Sequence, residues 1–293
     1  MGTKKKNTNN IGRSRASLIW HQFKKNKGAM VGLGIMIMLV IIALAAPLIW
    51  DYSTDISGMN VRERLKPPSW EHPFGTDHMG RDVFSRVCYG TRYSLLIGIV
   101  GVAISTIFGV SLGAIAGFYG GKVETVIMRC VEMMLMMPSI LLTIVLVSAF
   151  GISLRNLMLA LGIATIPHFA RNARAAVMTV CNNEYVEASK AIGTPSIVTL
   201  FTHVLPNALS PILVQATTRM GGVIGTAASF SFLGLGVPAP TPEWGAMLSD
   251  ARSYMWEYPY LLLFPGMAIF ITCLAINQIG DGLRDALDPK LKR

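Results

Sequence analysis

Polar and apolar positions in this chain fall into long blocks, not short alternations. Uncharged runs cover 28–50, 93–121, 133–154 and 258–280, and each has about the ~20 helical residues needed to cross a hydrocarbon layer. A fifth run, 208–242, is interrupted only by Arg219. A sixth, 156–170, is short and must gain length by snorkelling Arg155 and Arg171. The pattern predicts an all-α polytopic membrane protein with six transmembrane helices. The membrane region spans 28–281, between a basic tail at 1–27 and a C-terminal tail at 282–293.

The second run has an internal rhythm. Gly101, Ser105, Gly109, Gly113, Gly117 and Gly121 recur every fourth residue. Each step of four advances a helix ~40° beyond a full turn, so the small residues trace a slanting ridge for a neighbour at close range. Pro138 and Pro265 lie inside other runs, where they permit kinks.

Composition supports one membrane-embedded unit over two soluble domains, with 52% hydrophobic and 14% charged residues. The net charge of +10 is densest before the first run, where eight Lys and Arg stand without an acid, a membrane-anchor pattern and no pointer to nucleic acid. Ala43, Leu44 and Ala45 resemble a signal-peptidase site, but the apolar run is long for a signal peptide and no cleavage is expected. Segments on the side of the N-terminus carry 17 Lys and Arg against 8 on the other, which places both termini in the cytoplasm. Cys88, Cys130, Cys181 and Cys273 form no close pair and read as free thiols.

The segment 171–207 is then cytoplasmic and too polar to cross. Within it Tyr185, Ala188 and Ile192 share one helical face, Glu184, Glu187 and Lys190 another, with Glu187 and Lys190 spaced for an ion pair. Gly193 suits the position after a helix, Thr194 a new cap and Pro195 a first helical residue. Ile197, Leu200, Phe201, Val204 and Leu205 make an apolar stripe, and Pro206 is expected to end or kink that second helix. A mere connector needs fewer residues than these 37. A projecting binding surface is the sharper reading, an interfacial connector the plainer one.

These residues also resemble a known pattern. Glu187-Ala188-Ser189, Gly193 and Leu205-Pro206 are similar to the EAA loop of ABC-importer permeases, with Ser189 in place of an alanine and His203 in place of an isoleucine. The segment His72-Pro73-Phe74-Gly75-Thr76-Asp77-His78-Met79-Gly80-Arg81-Asp82 resembles the HPxGTDxxGRD signature of the dipeptide and oligopeptide permease group. Residues 241–245 (TPEWG) and 280–289 (GDGLRDALDP) resemble its later signatures. The resemblance implies a C-type permease subunit of the type I importer fold in a bacterial inner membrane. It makes Glu184 to Gly193 a coupling helix that sits in a groove on an ATPase subunit. It implies a second permease chain as a heterodimer partner, two ATP-binding subunits that hold ATP and Mg, and an extracellular solute-binding protein, with no cofactor in this chain.

The outer loop 51–92 carries six basic and six acidic residues. Asp77 and Arg81 are spaced to pair on a helical turn, and Gly75 and Gly80 allow sharp bends. His72, Asp77, His78 and Asp82 match no standard metal spacing. Arg219 either faces a substrate path, where it would meet a peptide carboxylate, or snorkels to a membrane edge. No GxxxxGK[ST], GxSxG or HExxH is present, so no ATP site or catalytic arrangement is expected. The alternatives are a nickel or other small-solute permease of the same group, and an ion-coupled secondary transporter, which would need relay charges and inverted repeats.

Overall fold

The computed structural model describes residues 15–287 and, within them, an all-helical chain. The basic positions expected at Lys4, Lys5, Lys6 and Arg13 lie outside the described residues. A short helix, α1 (Arg15–Phe23), precedes α2 (Lys27–Ile49). Then come α3 (Val83–Tyr119), α4 (Gly121–Met136), α5 (Ser139–Phe150) and α6 (Leu154–Cys181). The chain continues with α7 (Glu184–Ala191), α8 (Ser196–Thr199), α9 (Leu205–Phe232), α10 (Trp244–Ala251) and α11 (Tyr260–Leu287).

The glycine ridge on α3 sets the architecture. Ser105 donates from Oγ to the Gly162 carbonyl at 3.1 Å. A Cβ on Gly109, Gly113 or Gly117 would fall 2.8, 2.2 or 2.8 Å from the carbonyl oxygens of Ile166, Ala170 and Arg174. The facing residue is always 57 positions further on, so α3 and α6 run parallel, backbone against backbone. Gly101 instead faces the Val223 side chain of α9, which a Cβ would approach to 3.1 Å. Gly121 is different: it stands in open space with φ +55° and opens α4.

Two parallel neighbours require a return crossing between them. It is made by α4 and α5 together, bent by 90° at Met137-Pro138. The expected straight span 133–154 is therefore broken, because Pro138 cannot donate to the helix and its ring excludes the preceding turn. Among the described residues four helices are long and apolar enough to cross a bilayer, and the bent pair makes five. The sixth crossing is α6, which carries Arg155, His168, Arg171 and Arg174 and passes the bundle by packing on α3. Its 28 residues span the bundle without borrowed length, so the expected run 156–170 was too short.

Other boundaries move as well. The helix expected from 93 begins at Val83, capped by Asp82, which takes ten residues from the expected outer loop. The fifth crossing, expected within 208–242, starts earlier, at Leu205, and ends at Phe232. α11 passes through Gly280 to Leu287, so the tail boundary at 281 falls inside a helix. Pro206 does not end its helix: 196–232 is one continuous helical path, with a π turn at Leu200–Val204 just before the proline. A wider turn there accommodates a residue without an N–H.

The ends of the bundle are distinct. At one, α1 packs on α11: Phe23, Ala29 and Ala286 form a cluster, Gly282 faces Ala29, and Asn26 donates to Asp285 at 3.1 Å. The end of α6, the start of α9 and the end of α11 surround a groove of about 680 Å³ at this same end, with Thr179, Asn207 and Arg284 in its wall. At the other end, residues 52–82 and 233–259 form a cap over the starts of α3 and α11.

Candidate functional site

Helix α7 is held by one narrow face. Val186 is buried among Ala114 of α3, Val177 and Val180 of α6, and Leu200, Val204 and Ala208. One turn later Ser189 is buried, its hydroxyl 3.1 Å from that of Thr199. The serine that departs from the expected alanine therefore has a polar partner, which removes the cost of burying a lone hydroxyl. Sequence patterning missed this inward face. Tyr185, Ala188 and Ile192, the expected apolar face, point outward, with Ile192 83% exposed. Glu184 and Glu187 are exposed in the first turn, where the helix dipole favours negative charge.

The expected Glu187–Lys190 pair does not form among the described residues. Lys190 instead lies over the Phe118 ring at 5.3 Å, a cation–π contact back to α3. Gly193 has φ +80° and donates to the Lys190 carbonyl at 3.0 Å, closing α7 with a left-handed residue. Beyond the turn, Pro195 and not Thr194 stands at the cap of α8. The expected stripe divides: Leu200 and Val204 are buried, Leu205 is half-buried, and Ile197 and Phe201 are exposed. His203 and Pro206 are exposed. The protruding surface is thus Glu184, Tyr185, Glu187, Ala188, Ile192 and Gly193, fixed from below by Val186 and Ser189.

The cap is built in the opposite way. Asp77 accepts from the backbone N–H of Met79 and Arg81 at 2.8 and 2.9 Å, and its other oxygen pairs with Arg81 Nε at 2.6 Å and lies 3.7 Å from Arg86 Nε. The Asp77–Arg81 pair exists, but in a tight turn between Gly75 and Gly80 and not on a helix. Gly80 has φ +77°, and a Cβ there would lie 1.8 Å from the Asn60 carbonyl oxygen. Arg81 reaches on to Asp250 at 3.4 Å, and Arg86 donates to the carbonyls of Ile56 and Pro240 at 2.6 and 3.4 Å. Thr76 donates to the Glu63 carbonyl and accepts from the Lys66 N–H. Asp82 accepts from the Ser85 N–H and holds His72 Nδ1 at 3.0 Å.

The later motif closes the cap from the other side. Glu243 is buried and caps α10 by accepting from Gly245 and Ala246 at 2.9 Å each, with Ser94 of α3 donating to it at 3.3 Å. Burial pushes its carboxyl above the ordinary range, against the pull of those N–H groups. Trp244 is fully buried and donates from Nε1 to the Val87 carbonyl at 2.9 Å.

The four residues considered for a metal do not converge. Asp77 is taken by arginines, and His78 stacks on Tyr254 at 5.4 Å. Among the described residues Glu63, Glu71 and His72 bring ligand atoms within 4.8 Å, a grouping that sequence spacing did not pick out. Glu63 there also pairs with Lys66 at 3.1 Å, and that hydrogen bond is the main reason its carboxyl sits below the ordinary range. Arg219 lies at the middle of α9, exposed in this chain, beside a cavity.

Comparison with known proteins agrees with this architecture. Residues 109–293 match the binding-protein-dependent transport system inner membrane component family, and residues 14–68 match the N-terminal TM domain of oligopeptide transport permease C. The chain is 48% identical to the dipeptide transport system permease protein DppC of Alkalihalophilus pseudofirmus, over 92% of this chain and 88% of that protein. It is 46% identical to the Escherichia coli K12 protein of the same name, over 94% and 93%. It is 41% identical to the oligopeptide transport system permease protein OppC of Bacillus subtilis, over 93% and 88%. A chain of the inward-facing MetNI methionine ABC transporter has the same fold, with TM-score 0.59 at 18% identity over 69% of this chain and 96% of that one. The bent and parallel helices described above are therefore those of a membrane permease, and the chain belongs to the family of binding-protein-dependent transport system inner membrane components.

Proposed function

We propose that this chain is one half of the membrane channel of an ATP-driven importer of short peptides, with α7 as its contact to an ATPase subunit. The observation that carries the reading is the geometry of α7: two buried residues anchor it, and its acidic and outward apolar side chains have no partner among the described residues. The relatives' names support the peptide substrate. In this reading ATP and Mg sit on two separate ATP-binding subunits. A second permease chain completes the channel, and an extracellular solute-binding protein docks on the cap. Residues 28–281 form the permease domain, and both termini face the cytoplasm of a bacterial cell.

Closure of the ATPases would displace α7. Val186 would pass that movement to the ends of α3 and α6, which move as one body because no side chain separates them along the ridge. The bundle would then exchange between two packings open to opposite sides, a population shift and no covalent step in this chain.

The test is ATP-dependent dipeptide uptake by the reconstituted complex. Glu187→Lys reverses a charge on the outward face, and Gly193→Trp forces a side chain into the left-handed turn. Each is expected to cut uptake at least tenfold and weaken co-purification of the ATPase while the chain still inserts; uptake at the unmodified rate in both would sink the coupling role.

A further inference from the structure

A cavity of about 230 Å³ lies where α5, α6 and α9 meet, and Ser139, Thr143, Thr165, His168, Arg219 and Thr226 supply its polar wall. Its depth follows from the helices. Arg219 is the fifteenth residue of the 28-residue α9, and His168 the fifteenth of the 28-residue α6. Both are then ~20 Å from either end of their helices at 1.5 Å per residue. That distance exceeds the reach of an arginine to either end of its helix, which favours the path-facing reading over snorkelling. The break at Pro138 brings the start of α5 to the same level, and no side chain caps that start.

Chemically the wall is divided. Thr143, Thr165 and Thr226 donate their hydroxyl protons within their own helices, to the carbonyls of Ser139, Leu161 and Gly222 at 2.8, 2.6 and 2.8 Å. Their oxygens are left as acceptors. Arg219 is the opposite: a permanent cation with only donors, and among the described residues it makes no ion pair or hydrogen bond. A guanidinium at mid-membrane faces a water-filled route or a partner, not lipid. Acceptors beside one unpaired cation complement a molecule that carries N–H groups and a carboxylate.

We propose that Arg219 binds the C-terminal carboxylate of a short peptide in transit, with the threonine oxygens of this cavity accepting its N–H groups. This inference rests on the peptide-import reading and adds the station on the path and the part of the substrate it recognises. Arg219 is a binding residue here, and the uncapped start of α5 adds further N–H donors near the carboxylate.

The experiment compares uptake of dialanine and its C-terminal amide by the reconstituted complex carrying the native chain, Arg219→Gln or Arg219→Lys, with ATP hydrolysis followed alongside. The solute-binding protein is common to all, so its own preference cancels when the acid-to-amide ratio of a variant is compared with that of the native chain. Arg219→Gln is expected to lower that ratio at least tenfold while stimulated ATP hydrolysis persists. Arg219→Lys is expected to keep most of the ratio at a lower rate, and it carries the test if the glutamine variant does not assemble. An equal loss for acid and amide overturns the proposal. An unchanged ratio in Arg219→Gln, or a tenfold loss of the ratio in Arg219→Lys, also overturns it. A native complex that moves neither probe overturns the import reading itself, so the two failures are distinguishable.

Discussion

The cap and α7 use the same kinds of residue for opposite ends. In the cap, Arg81, Arg86, Asp77 and Glu243 are buried, and every charge finds an acid, a carbonyl or an N–H within this chain. On α7, Glu184 and Glu187 are exposed and the apolar Ile192 stands in solvent. A buried ion must be compensated locally or the fold fails. An exposed one costs nothing to leave open and is available to a second protein. Charged motifs in one sequence can therefore be internal scaffold in one place and docking surface in another, and burial tells them apart.

The contrast is broken most severely at Asp77. Asp77→Ala removes the nearest acid from two buried arginines, leaving Arg81 only the longer contact to Asp250 and Arg86 only carbonyls. Removing one partner of a buried pair costs roughly 3–5 kcal/mol. A drop in melting temperature of the detergent-purified chain is expected, with loss of assembled protein. Unchanged melting would mean that the cap is held by its apolar cluster alone.

Gly113→Leu attacks the link between the two ends. A Cβ there lies 2.2 Å from a backbone oxygen of α6, and overpacking typically costs about 1–3 kcal/mol. Melting should fall, and transport should fall further than α7 docking. Normal transport at lowered melting temperature would show that α3 and α6 need not move together.

Ser189→Ala is the gentlest change. It removes one hydroxyl pair worth about 1 kcal/mol and restores the alanine of the EAA pattern. Faster amide exchange confined to 184–191 is expected with global melting unchanged. A global shift would make α7 part of the core and erase the contrast with the cap.

Much of the fold was legible in one dimension. Uncharged runs gave the number of crossings, and the four-residue rhythm from Gly101 to Gly117 correctly announced a close neighbour. Break points were harder. A proline in an apolar run signals a kink or a full break equally, so Pro138 looked like Pro265, yet only the first separates two helices by 90°. The site was half legible: the turn at Gly193 came from its residue type, whereas the inward face of α7 did not. Val186 sits between Tyr185 and Glu187 and Ser189 between Ala188 and Lys190, and nothing in an eight-residue helix says which side meets the bundle.

The sequence by itself determined most of the long-range frame, because membrane crossing is a matter of length and charge that the four long apolar helices satisfy alone. Only the tertiary structure decided what surrounds each charge. Arg81 and Asp250, or Ser94 and Glu243, are joined by packing across more than a hundred residues of chain. Compensation of a buried ion depends on neighbours in space, and no local pattern encodes them.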